Sequence, residues 1–206
     1  MRTSSDSDRL AAAIARHTSA SIAPVAAAAA QPRENSAVHL RELRMHVMSR
    51  DEHLGMTTDY SYNLTVVSSS NRESAAVADV RCASIFGCMY GLESFVQLLD
   101  AERGELLHSS VDIVDAPDYA WRGLMVDAGR RFFPMDTLKD LMTSMAAAKM
   151  NVLHLHASDY CRFGVESKLF PNLTASLTGV KGGFYSQADI KELIKSGGEM
   201  GILIVP

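Results

Sequence analysis

From residue 37 onward the hydrophobic pattern changes period more than once. Val38, Leu40, Leu43, Met45 and Val47 follow an imperfect period of two with a slip near Glu42, which predicts a strand over 37–48. After a turn-like patch from Ser49 to Thr58 that contains Gly55, residues Tyr60, Tyr62, Leu64 and Val66 alternate cleanly with their neighbours up to Val67. This second strand is expected to be a hairpin partner or close neighbour of the first. Ile85, Met89, Leu92, Val96 and Leu99 then recur at helical spacing, with Phe86 and Phe95 widening the stripe. Gly87 and Gly91 fall four apart in this helix, each at a cost of about 1 kcal/mol against Ala. Close packing against a sheet accounts for them better than a membrane dimer motif, because Glu93 and Gln97 follow at once. Gly104 is the expected C-terminal cap. Val111, Ile113 and the turn Ala116-Pro117-Asp118 close a small α/β domain over 37–117.

Beyond Pro117 the texture becomes strand, helix, strand, helix, strand. A short apolar strand spans Gly123–Asp127, and a loop with Arg130, Arg131 and Pro134 leads to Asp136, the expected N-cap of a helix through Lys149. The next strand is Asn151–His156, and a long loop with Pro171, Gly179, Gly182 and Gly183 follows. Ser186 caps a helix that begins QADIKELIKS, and Gly201 precedes a third strand over Ile202–Val205. Such alternation implies parallel strands joined by helical crossovers. No internal repeat appears beyond it.

Composition narrows the class. The 206 residues are 47% hydrophobic and 21% charged with a formal net charge of −4, which fits packed domains and provides none of the clustered positive charge that nucleic acid needs. Residues 1–36 are rich in Ala and Ser, with an alanine run from Ala26 to Ala30. They read as a disordered tail; the alternative is a targeting leader, with Arg2, Arg9 and Arg16 ahead of small residues, but Asp6, Asp8 and the lack of an apolar stretch argue against it. No membrane span is expected. Cys82, Cys88 and Cys161 match no zinc spacing and are odd in number, so they are read as ordinary buried or free thiols.

Two segments carry candidate chemistry. In NVLHLHASDY, His154 and His156 point to one face of a strand and Leu155 to the other, and Asp159 follows at the carboxyl end. The plainer reading is a pair of hydrogen-bonded core histidines with a capping aspartate. A metal site from His154, His156 and Asp159 lacks a suitably spaced fourth ligand. In WRGLMVDAGRRFFPMDTL, Arg122, Asp127 and Arg130 surround one short apolar strand; Arg122 and Asp127 are candidates for an ion pair or a ligand contact, while Arg131 reads as exposed charge.

These segments resemble a known family. Trp121-Arg122-Gly123-Leu124-Met125-Val126-Asp127 with Arg130, Phe133 and Pro134 is similar to the barrel-opening motif of family-twenty glycoside hydrolases, the β-N-acetylhexosaminidases. MAAAKMNVLHLHASD (145–159) resembles their next motif and FGVESKLFPNLT (163–174) follows as in that family, while Ser84–Gly87 with Gly91–Phe95 resembles the helix of the preceding small domain. The resemblance covers about 37–206. It implies a small α/β domain followed, over 118–206, by the first part of a (β/α)₈ TIM barrel, incomplete, since a closed barrel needs about 250 residues.

The resemblance implies that Arg122 holds sugar hydroxyls and that Asp159, with His156, lines the sugar pocket, although Arg122 falls near the amino end of its strand, the face tied to stability. Leu155 stands where many members have Trp, and Tyr160 where many have a polar residue. The family's acid Glu and its preceding Asp are expected downstream, so no catalytic residue is expected within the chain and the chain alone is expected to be inactive. The implied mechanism is substrate-assisted and retaining, one of the exceptions to the two-carboxylate scheme, with a glycan ending in N-acetylglucosamine or N-acetylgalactosamine as substrate. No cofactor or metal is implied, and a homodimer is expected of the full-length protein. Sequons at Asn63-Leu64-Thr65 and Asn172-Leu173-Thr174 fit a secreted or lysosomal protein, with Asn172 the better glycosylation candidate because Asn63 falls in a predicted strand. The alternatives are a non-catalytic carbohydrate-binding or interaction protein that ends at Pro206, and a different barrel hydrolase with a similar opening.

Overall fold

A computed structural model describes residues 2–3, 7–17, 40–68, 76–100, 105–160, 162–177 and 183–206. The chain divides into two compact units, one of Met1–His53 with Thr57–Asp118 and one of Leu54–Met56 with Tyr119–Pro206.

In the first unit, β1 (Arg2–Thr3), β2 (Leu40–Val47), β3 (Tyr62–Val67), β4 (Ala76–Cys82) and β7 (Ser110–Asp115) form one sheet in the order β1-β2-β4-β3-β7. β5 (Leu99–Asp100) and β6 (Glu105–Leu106) make a separate two-stranded ladder. The first two predicted strands lie in the same sheet as near neighbours but are not a hairpin pair. β4 lies between them, parallel to β2 and antiparallel to β3. Its buried face is Ala76, Ala78, Val80 and Cys82, residues so small that the alternation is faint in the sequence. The slip near Glu42 is real: the β2–β4 register shifts between Leu40 and Glu42.

Helix α1 (Asp8–His17) packs on α2 (Ile85–Gln97), which covers one face of the sheet. Ser84 caps α2 by accepting from the Gly87 N–H at 3.2 Å. A Cβ on Gly87 would lie 2.5 Å from the Ser61 carbonyl oxygen, and one on Gly91 would lie 2.5 Å from Val80 Cγ1. The two glycines therefore let helix and sheet approach closely, as their spacing predicts. Two expectations fail here. The helix ends at Gln97 with Leu98 as C-cap, so Leu99 belongs to β5, and Gly104 lies outside the described residues. Cys82 and Cys88, read as thiols, form a disulfide from the end of β4 to the first turn of α2, with Cα atoms 5.2 Å apart; Cys161 lies outside the described residues.

The tail expectation is overturned over 8–17. Leu10 and Ala13, three apart, are buried at 1% exposure each, and the Arg9 guanidinium lies 5.8 Å from the Phe86 ring centre and donates to the Glu52 carbonyl at 2.8 Å. A small apolar stripe in an alanine-rich helix suffices once a larger helix receives it. Residues 18–39 lie outside the described residues. Among the described residues, no helix is long and apolar enough to cross a membrane.

The second unit is built on three parallel strands in the order β12-β9-β8: β8 (Gly123–Asp127), β9 (Val152–His156) and β12 (Leu203–Val205). The crossovers carry α3 (Met135–Ala147), α4 (Asn172–Ala175) and α5 (Gln187–Glu199), and β10 (Ser158–Asp159) pairs with β11 (Arg162–Phe163) antiparallel. Leu153 and Leu155 are buried with Leu138, Met142, Met145, Leu193 and Ile202, each such side chain contributing about 1.5–3 kcal/mol. Ser186 makes the predicted cap, as a reciprocal capping box with Asp189. Asp136 does not cap α3; Pro134 holds the N-cap position and Asp136 lies in the first turn, where its charge favours the helix dipole. Gly201 has φ 75°, a conformation that only glycine adopts at little cost.

Candidate active site

The register of the parallel sheet sets the site. Val126 lies beside Leu155, and Asp127 beside His156. Side chains alternate, so Met125, Asp127, His154 and His156 share one face while Leu153 and Leu155 take the other into the core. The half-buried polar face opens at the carboxyl ends of the strands, where α/β folds assemble their sites.

The turn after β8 is held against the turn after β9. The Gly129 N–H donates to the His156 carbonyl at 2.6 Å. A Cβ on Gly129 would lie 2.8 Å from the Ser158 carbonyl carbon, so this approach requires glycine. It brings Arg130 to Asp159. Arg130 Nη1 lies 2.7 Å from Asp127 Oδ2, and the Arg130 N–H donates to Asp127 Oδ1 at 3.0 Å. Its Nη2 lies 2.8 Å from Asp159 Oδ2. His156 Nε2 stands 3.7 Å from the same Oδ2.

Asp159 Oδ1 accepts the Tyr160 backbone N–H at 2.6 Å. That bond first, then the charges of Arg130 and His156, hold the Asp159 carboxyl below the ordinary carboxylate range against the opposing effect of burial. Since the backbone makes the bond, Tyr160 in place of a polar residue leaves it intact, and the Tyr160 side chain is 99% exposed. Asp159 Oδ2 is buried and accepts no aligned hydrogen bond among the described residues. Its 2.8 Å contact to Arg130 is therefore electrostatic, and it retains the capacity to accept from a ligand hydroxyl.

Asp127, His156 and Asp159 bring one ligand atom each within 4.8 Å of one another. Arg130 is paired with both carboxylates and adds positive charge where a metal would have to sit. The site loop is braced by Tyr185, whose ring is fully buried against Phe132. The Tyr185 hydroxyl donates to the Phe133 carbonyl at 2.8 Å and accepts its N–H at 3.2 Å, and burial pushes its pKa up.

Of the residues expected at the site, Asp159 and His156 are brought together, and Arg122 is not among them. Arg122 Nε donates to the Lys149 carbonyl at 2.9 Å and its Nη1 to the Tyr119 carbonyl at 2.6 Å, at the amino end of β8. Lys149, at φ 56°, turns the chain out of α3 at a position where glycine is usual. The fully buried Asn151 completes this corner by accepting from the Arg122 N–H and donating to Ala120. Arg130, named in the sequence beside Arg122 and Asp127 but given no site role there, is 72% exposed and paired with Asp159. Its position just past the carboxyl end of a strand was the available signal. Asn63, on β3, and Asn172, the first residue of α4, are both exposed.

Residues 119–206 match the model of the glycosyl hydrolase family 20 catalytic domain. The chain belongs to glycoside hydrolase family 20. It is 35% identical over 167 residues to β-hexosaminidase subunit A2 of Dictyostelium discoideum, across 80% of this chain and 29% of that protein. It is 33% identical over 151 residues to a chitooligosaccharidolytic β-N-acetylglucosaminidase of Bombyx mori, across 72% of this chain and 25% of that one. Among solved structures, the Flavobacterium johnsoniae family-20 chitobiase superposes with a TM-score of 0.75 at 29% identity, covering all of this chain and 30% of that one. The family-20 chain thus spans under a third of the length of these relatives.

Proposed function

We propose that the chain is the leading part of a β-N-acetylhexosaminidase, a small α/β domain over 37–117 followed over 118–206 by the opening of a (β/α)₈ barrel. The complete enzyme removes terminal N-acetylhexosamine from glycans. The observation that carries this reading is Asp159 Oδ2, a buried carboxylate oxygen without an aligned hydrogen bond, beside an exposed arginine at the carboxyl end of parallel strands.

A carboxylate and a guanidinium side by side complement vicinal sugar hydroxyls, one accepting and the other donating. In this reading Asp159 and Arg130 grip the terminal sugar, and His156 orients Asp159. Arg122, first expected among the sugar contacts, instead secures the amino end of β8 through main-chain carbonyls.

The chemical step is substrate-assisted with retention. The acetamido carbonyl oxygen attacks the anomeric carbon as the glycosidic bond breaks, an acid protonates the leaving oxygen, and water then opens the cyclic intermediate. The acid and the carboxylate that steadies the acetamido nitrogen are the family's Asp-Glu pair, which the resemblance places on a later strand of the barrel.

A chromogenic N-acetylglucosaminide, offered to the 206-residue chain and to the protein extended through an Asp-Glu pair, tests the proposal. Turnover is expected only from the extended protein, because a glycosidic oxygen leaves poorly without a positioned acid. Hydrolysis by the 206 residues alone, or a folded but silent extended protein, overturns it.

A further inference from the structure

Asn63 is the second residue of β3, with its backbone paired on both sides, to Arg81 of β4 and Val114 of β7. Its side chain is exposed and projects from the sheet face opposite α2, in one row with the exposed Arg81 and with Val114, which is 78% exposed. Two residues along the same face is Thr65, which completes the acceptor triplet Asn63-Leu64-Thr65. Val67, 65% exposed, continues the row. Among the described residues β7 pairs only with β3, so Val114 lies on a strand whose outer edge is unpaired among them, with Val67 on the strand beside it; such an edge favours association unless something blunts it.

An independent observation concerns the compartment. Cys82 and Cys88 are disulfide-bonded and are 1% and 0% exposed. A disulfide inside the core of a domain belongs to oxidising compartments and is rare where thiols are kept reduced. The same domain therefore carries an open acceptor triplet and the mark of the secretory environment in which such triplets are used.

We propose that Asn63 carries an N-linked glycan, acquired in an oxidising secretory compartment, that shields the open face of β3 and β7. The donor is a lipid-pyrophosphate-linked oligosaccharide. The Asn63 amide nitrogen forms a bond to the anomeric carbon of its first sugar, the bond from that carbon to phosphate oxygen breaks, and the lipid pyrophosphate leaves with the electron pair while the amide gives up one proton. Ladder bonds on both sides of Asn63 make the folded strand inaccessible as an extended acceptor, so transfer precedes closure of the sheet. This inference does not depend on the hydrolase reading.

The test is peptide mass spectrometry on the protein from its native cells. Glycan release by peptide N-glycosidase in heavy-oxygen water is expected to leave labelled aspartate at position 63, in the same sample as the Cys82–Cys88 linked peptide. Thr65→Ala is expected to abolish the label and Thr65→Ser to retain it, and the Thr65→Ala protein is expected to aggregate more readily at equal concentration. Unmodified Asn63 as the sole form overturns the proposal, whether or not Asn172 is labelled. So does a label that survives Thr65→Ala.

Discussion

Arg130 follows one parallel strand and Asp159 the next, yet their charged groups meet at 2.8 Å between Nη2 and Oδ2. The contact exists because Gly129 lets the two turns approach and because Asp127 grips Arg130 from behind, through both its backbone N–H and its guanidinium. An exposed ion pair of this kind adds little to stability. Its effect is to fix where charge stands at the mouth of the site.

The Asp159 carboxyl provides the first test. Its pKa is lowered by the Tyr160 N–H, then by Arg130 and His156. Because the folded value is depressed, whatever stability this carboxylate contributes is present above its unfolded pKa and is lost as pH falls through the folded value. Carbon-detected titration of the carboxyl should give a midpoint below the ordinary range. Arg130→Ala should raise that midpoint only part of the way, since the backbone bond survives. A midpoint at or above the ordinary range in the parent protein contradicts the geometry.

The two arginines should separate cleanly. Arg122→Ala removes donors from the Lys149 and Tyr119 carbonyls and should cost on the order of 1–3 kcal/mol, seen as a melting temperature lowered by several degrees. Arg130→Ala should leave melting nearly unchanged and depress kcat/KM in the complete enzyme. Melting curves and kinetics on both variants check this; the opposite assignment would restore Arg122 to the sugar pocket.

The disulfide offers a third measurement. Its bridged residues are six apart, and closing so short a loop in the unfolded chain is worth about 2 kcal/mol in the entropic account. Thermal melts with and without reductant, and of a Cys82→Ala, Cys88→Ala double variant, should show the first domain destabilised by that order. No change in either comparison would mean that the bond does not form in solution.

The second unit was largely legible in the sequence. Leu153, Leu155, Met142 and Leu193 repeat with clear periods, Ser186 and Asp189 announce a helix start, and alternating β and α elements leave few topologies open. The first unit was less so. β4 presents alanines on its buried face, which carry little hydrophobic signal although they allow strand and helix to come close. α1 is stabilised by a tertiary contact through Leu10, Ala13 and Arg9 that local composition cannot reveal. At the site, Asp159 and His156 were readable because polar groups on an apolar strand need partners. The pairing of Arg130 with Asp159 was not, because it depends on two turns meeting in space, and neither was the contact of Arg122 with the Lys149 carbonyl, which comes from the end of another element.

The central claim is that Asp159 binds substrate rather than holding the fold, and Asp159→Asn in the complete enzyme tests it most directly. The substitution keeps the shape and removes the charge that faces Arg130 and a sugar hydroxyl. Losing a charged hydrogen-bond acceptor corresponds to a fall in kcat/KM of about ten- to a hundred-fold, expressed in kcat as well as KM if the bond tightens in the transition state. The account predicts that fall together with a melting temperature within a degree or so of the parent. A clearly lowered melting temperature with nearly normal kcat/KM in the folded fraction would contradict it and make Asp159 a structural residue.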